Sequence, residues 1–82
     1  MFYVYILQSC IDGSYYTGQT NNLADRIERH NKSRSVYTKS KRPWKLVYYE
    51  KFESRSSAIK RENQIKSWKN RSLIEKLIER PD

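Results

Sequence analysis

Five side chains in this 82-residue sequence have types and spacings that could do chemistry on a phosphate: Tyr5, Tyr16, Arg26, His30 and Glu62. Glu62 is the oddest placed. At 100° per residue along a helix, Ala58 and Ile65 define an apolar stripe, and Glu62 falls between them, inside the apolar sector. A carboxylate aimed at a core is costly unless it is paired or bound to a cation. Two readings follow: a structural salt bridge, with Arg26 as the partner, or a metal-binding or catalytic carboxylate. Arg26 lies one step off an apolar stripe formed by Leu23 and Ile27, four residues before His30. His30 itself either closes that stripe as a core histidine or acts on substrate.

The tyrosines are placed by a hairpin. Residues 3–9 are apolar on both faces, as in a central strand, and 15–20 read as a second strand. Asp12-Gly13 between them is a tight-turn signal. A two-residue turn there sets Tyr5 opposite Thr20 and Ser9 opposite Tyr16. Tyr5, Leu7 and Ser9 then share a face with Tyr16, Gly18 and Thr20, and a three- or five-residue loop would break that arrangement. Tyrosines are ordinary strand formers, which explains them without function. Gly18 is harder to explain so, because glycine weakens a strand interior and often marks close approach of a ligand or backbone.

The remaining elements carry the other groups. Asn21-Asn22 can cap a helix reaching about Lys32, and residues 45–52 read as a third strand. Ser54, Ser56 and Ser57 are candidate caps for a helix running to about Trp68. Leu73, Ile74, Leu77 and Ile78 mark a last amphipathic helix that ends before Pro81. The order β-β-α-β-α-α, with one tight hairpin, predicts an α+β fold in a single domain over residues 1–82.

Charge indicates the partner. Seventeen Lys and Arg against nine Asp and Glu give a net charge of +8. Residues 32–45 hold Lys32, Arg34, Lys39, Lys41, Arg42 and Lys45 with no acid, interleaved with Tyr37 and Trp44. Residues 55–71 hold six more cations and one acid, Glu62. Such clusters suit a phosphate backbone, although charge also serves solubility. One Cys and one His exclude a disulfide scaffold and a Cys/His zinc cage. The apolar N-terminal run is too short for a membrane span and lacks a basic leader, so a cytoplasmic protein without membrane attachment is expected.

Tyr3-Val4-Tyr5, Tyr16-Thr17-Gly18, Arg26, His30 and Glu62, in that order, resemble the GIY-YIG nuclease superfamily. Segments such as YYTGQTNNLADRIERHN, YTKSKRPWKLVYYE and KRENQIKSW resemble its small stand-alone bacterial members of the UPF0213 type. The resemblance implies a three-stranded antiparallel sheet flanked by helices. It also implies divalent-metal-dependent hydrolysis of a DNA phosphodiester, with relatives in repair and recombination. Glu62 would hold one Mg²⁺ or Mn²⁺, Arg26 would clamp a phosphate oxygen, and Tyr5 or Tyr16 would take a proton from water. His30 would be a second phosphate contact or a proton shuttle. Gly18 would let backbone or substrate pass beneath the tyrosines, and Lys39, Lys41 and Arg42 would meet substrate phosphates. Tyr3 stands where the first motif opens with Gly, Thr17 where the second usually has Ile, and Gln19 where many members are basic. Ile74 stands where many carry an Asn, with Asn70 nearby. Larger relatives add separate domains for targeting, and none is expected in a chain this small, so either weak selectivity or reliance on a protein partner is expected. The alternative is a nucleic-acid-binding module with a vestigial site.

Overall fold

The computed structural model describes residues 1–32 and 41–79. Three strands, β1 (Phe2–Ser9), β2 (Tyr15–Thr20) and β3 (Trp44–Phe52), form one antiparallel sheet in the order β2-β1-β3. Helix α1 (Leu23–Lys32) covers one face, and α2 (Arg55–Lys66) and α3 (Arg71–Glu79) cover the other. The α+β order expected from the sequence is the order found. No described helix is long and apolar enough to cross a membrane.

β1 is central because its residues are apolar on both faces: Val4, Tyr5, Ile6 and Leu7 are fully buried. Val4 and Ile6 pack with Ala58, Ile65 and Leu77 beneath α2 and α3. Tyr5 and Leu7 pack with Trp44, Leu23 and Ile27 beneath α1. The caps are those read from the sequence. Asn22 Oδ1 accepts from Asp25 N at 3.1 Å, and Ser54 Oγ accepts from Ser57 N at 3.2 Å.

The hairpin departs from expectation in its register. Tyr5 opposes Gly18, and Leu7 opposes Tyr16. The turn is wider than Asp12-Gly13 because Ser9 N donates to Ser14 O at 2.8 Å and Gly13 N to Ser9 O at 3.0 Å. Side chains hold it open: Ser9 Oγ accepts from Ile11 N and Asp12 N, and Asp12 Oδ1 accepts from Ser14 N. Gly13 supplies the positive φ of 75°. Pairing has slipped by two residues from the expected register, so every side chain keeps its face. Tyr5, Leu7, Tyr16 and Gly18 therefore still share one surface.

β3 adds a second irregularity that sequence alternation hides. Ile6 opposes Tyr48 but Leu7 opposes Leu46, a bulge that lets one strand serve both faces. Trp44 and Leu46 reach the α1 side, while Val47 and Tyr48 reach the α2 side. There, Arg61 Nε and Nη2 grip Glu50, each at 3.0 Å, and the Tyr48 hydroxyl donates to the same carboxylate. This partly buried network ties β3 to α2.

Candidate active site

Gly18 decides where Tyr5 can go. A Cβ on Gly18 would lie 2.5 Å from Tyr5 Oη and 2.7 Å from Cζ. The tyrosine ring crosses the glycine, and the space a Cβ would need is filled by Tyr5. The close approach that Gly18 permits is thus that of the Tyr5 side chain, in the way aromatic side chains cover strand glycines. The Tyr5 hydroxyl reaches His30 Nε2 at 3.3 Å. Burial, helped by Tyr16, pushes the Tyr5 hydroxyl up to about 12 against the opposing pull of Arg26. Tyr5 keeps its proton at neutral pH.

Tyr16, one step along the same face, is half-buried. Its ring meets His30 edge-on with centroids 4.5 Å apart, and Trp44 at 6.2 Å closes the group. His30 is 8% exposed, and burial, then the charge of Arg26, hold its imidazole below the usual histidine value. It is therefore neutral near pH 7 and can accept or donate one proton. His30 closes the α1 stripe, as a core histidine does, and touches both tyrosines.

Asn31 is a positioning residue that sequence reasoning missed. Its Oδ1 accepts from Trp44 N at 2.5 Å, and its Nδ2 donates to Trp44 O at 3.0 Å. The side chain mimics a strand partner and fixes Trp44 against the end of α1. Asn in a last helical turn is a visible signal, but its partner lies 13 residues further along the chain and leaves no pattern in the sequence.

Arg26 and Glu62 do not pair. Arg26 Nε is buried and has no hydrogen-bond partner. Glu62 instead takes Lys66 Nζ on Oε2 at 2.8 Å, one turn along α2. The salt-bridge reading of Glu62 thus gains a different partner from the one expected. Its side chain is 16% exposed and its charge is felt at the Tyr5 hydroxyl, although α2 packs on the opposite face. Arg26 and Glu62 therefore both act on Tyr5 without touching each other.

An orphaned buried guanidinium N–H asks for an acceptor, and a phosphate oxygen would satisfy it. A divalent cation fits less freely. No cluster of three or more His, Cys, Asp or Glu is found among the described residues. Glu62 would be the one protein carboxylate on a hard cation that keeps several waters, a pattern that suits Mg²⁺ or Mn²⁺. Lys66, half-exposed, would have to release it.

Of the expected phosphate contacts, Lys39 lies outside the described residues. Lys41 Nζ is 3.6 Å from Asp12, and Arg42 Nη1 donates to Asn31 O at 3.2 Å. Both sit on the segment entering β3, beside Trp44. Asn70 Oδ1 caps α3 by accepting from Ser72 N at 2.9 Å. Ile74 packs against the core, and Gln19 Oε1 is buried without a partner.

Residues 1–76 match the family described as the GIY-YIG catalytic domain. UPF0213 proteins from Staphylococcus aureus strains, Mu50 and N315 among them, are 42% identical over 79 residues, covering 95% of each chain. The solution NMR structure of a UPF0213 protein from Bacillus halodurans superposes with a TM-score of 0.55 at 36% identity. That likeness spans 92% of this chain and 81% of the other.

Proposed function

The chain belongs to the GIY-YIG family, a nuclease family, and from that premise we propose that it is a divalent-metal-dependent DNA endonuclease that hydrolyses phosphodiester bonds. One observation carries the reading: the buried, unpartnered Arg26 Nε beside Tyr5, His30 and the charge of Glu62. It supports a site waiting for an anion.

In this mechanism Arg26 holds a non-bridging phosphate oxygen and gains strength as negative charge builds there. Tyr16, half-buried where Tyr5 is sealed, orients the attacking water and takes its proton. Tyr5 stays protonated, held over Gly18, and passes its hydrogen bond to His30. Neutral His30 accepts the hydroxyl proton that Tyr16 gives up as it takes one from water, or meets a second phosphate oxygen. Glu62 would hold the cation, which when bound would supply neutralisation of the negative charge that builds during hydrolysis. Lys41 and Arg42, with Lys39, steer the DNA backbone. This reading sets the protein in DNA repair or recombination, either weakly selective or targeted by a protein partner.

Incubating the protein with nicked, flapped and branched DNA in Mg²⁺ or Mn²⁺ tests the proposal. Metal-dependent cleavage abolished in Glu62→Ala is expected; cleavage that survives unchanged there would overturn Glu62 as ligand. A second reading, a binding module with a vestigial site, is favoured by Lys66 occupying the Glu62 carboxylate. It expects no cleavage, indifference to metal, and affinity falling with salt by a slope of about −0.9 per phosphate.

A further inference from the structure

The same sheet face carries a cleft that the proposed chemistry does not use. It has a volume of about 340 Å³ and is lined by Tyr3, Asn21, Asn22, Leu23, Tyr49 and Lys51. Register builds its floor: Tyr3 opposes Lys51 and Tyr5 opposes Tyr49 across β1 and β3, so all four side chains point toward α1. Tyr49 is 47% exposed and stands edge-to-face with Tyr3, ring centroids 6.1 Å apart. Tyr3 thus braces Tyr49, which retains exposed ring surface. Lys51 is exposed on the rim, and among the described residues no acid lines the cleft. Asn21 is exposed beside it and can donate and accept through its amide.

An aromatic face, a cation and an exposed amide are the three contacts a nucleotide makes: base stacking, phosphate and base edge. Stacking on a side chain needs a base that is not sealed in a duplex. The volume lies at the lower end of small-ligand sites, which suits one nucleotide and not a double helix. We infer that this cleft holds one unpaired nucleotide of a DNA strand, stacked on Tyr49 with its phosphate at Lys51. The inference rests on the nuclease reading for its setting and gives that site a substrate class. Tyr49 is the cross-strand neighbour of Tyr5, and adjacent strands lie about 4.8 Å apart. A strand seated in the cleft therefore needs only a short run of backbone to bring a phosphate to Arg26.

The test is fluorescence anisotropy without divalent metal, using labelled oligothymidylate and a blunt duplex of equal length, in the full chain and in Glu62→Gln. Tyr49→Ala is expected to weaken oligothymidylate binding about tenfold and duplex binding little. Tyr49→Phe keeps the ring and should bind as wild type, which separates stacking from folding. Lys51→Gln should lower the salt slope by about one phosphate. Wild-type affinity in Tyr49→Ala, or equal losses on both DNAs, would overturn the cleft. These readouts do not depend on cleavage, so a chain that binds as expected but never cuts would sink the nuclease reading alone.

Discussion

At the scale of single residues, the two tyrosines that look equivalent in the sequence have different fates. Tyr5 is fully buried with its hydroxyl pushed up to about 12, while Tyr16 keeps partial exposure. Removing the Tyr16 hydroxyl in Tyr16→Phe should lower the cleavage rate at least about 100-fold, the usual span for a general base. Tyr5→Phe should cost less than about tenfold in rate, with about 1 kcal/mol of stability for the lost contact to His30. Single-turnover cleavage of one DNA by both variants would check this, and equal losses would count against Tyr16 as base. Lys66 gives a second prediction. Its ammonium neutralises Glu62 in the metal-free chain, so Lys66→Met should tighten Mn²⁺ binding a few-fold, a modest change because exposed pairs contribute about 1 kcal/mol or less. Calorimetric titration with MnCl₂ reads it directly.

At the scale of elements, strand pairing sets the site. The β1–β2 register stacks Tyr5 on Gly18, and the bulge in β3 brings Trp44 to the same face as Tyr49. Gly18→Ala would press a methyl against the Tyr5 ring, which must tilt away from His30. About 1–3 kcal/mol of destabilisation is expected, as for overpacking, together with a fall in cleavage beyond what instability explains. Urea unfolding paired with cleavage assays under fully folded conditions would separate the two effects. The hairpin register also shows why part of the site was legible in the sequence. A slip by two residues changes every pair yet leaves every face unchanged, so the shared tyrosine surface survived a misplaced turn. The bulge and the Asn31 clamp left no such trace, since each depends on contacts between separated segments.

At the scale of the whole molecule, α1 seals His30 against the sheet and makes folding pH-dependent. Its imidazole titrates lower in the folded chain than in the unfolded one, through burial and the charge of Arg26. Between that lowered value and about 6.5 the unfolded chain binds more protons. This contribution is therefore complete above pH 6.5 and is lost as pH falls through that window. Melting temperatures compared at pH 7.5 and pH 5 should show the drop, and His30→Gln should remove this component of it. The net charge of +8 acts over longer range and governs encounter with a polyanion more than the fold.

The sequence by itself determined the element order, the central strand, the helix caps and the residues that share the tyrosine face. Those features follow from periodicity and local hydrogen bonding, which neighbouring residues specify. Only the tertiary structure decided that Tyr5 fills the space above Gly18, that Arg26 is left without a partner for Nε, and that Glu62 is held by Lys66. Burial and pairing belong to the assembled surfaces of sheet and helices, and no single segment contains both halves of those contacts.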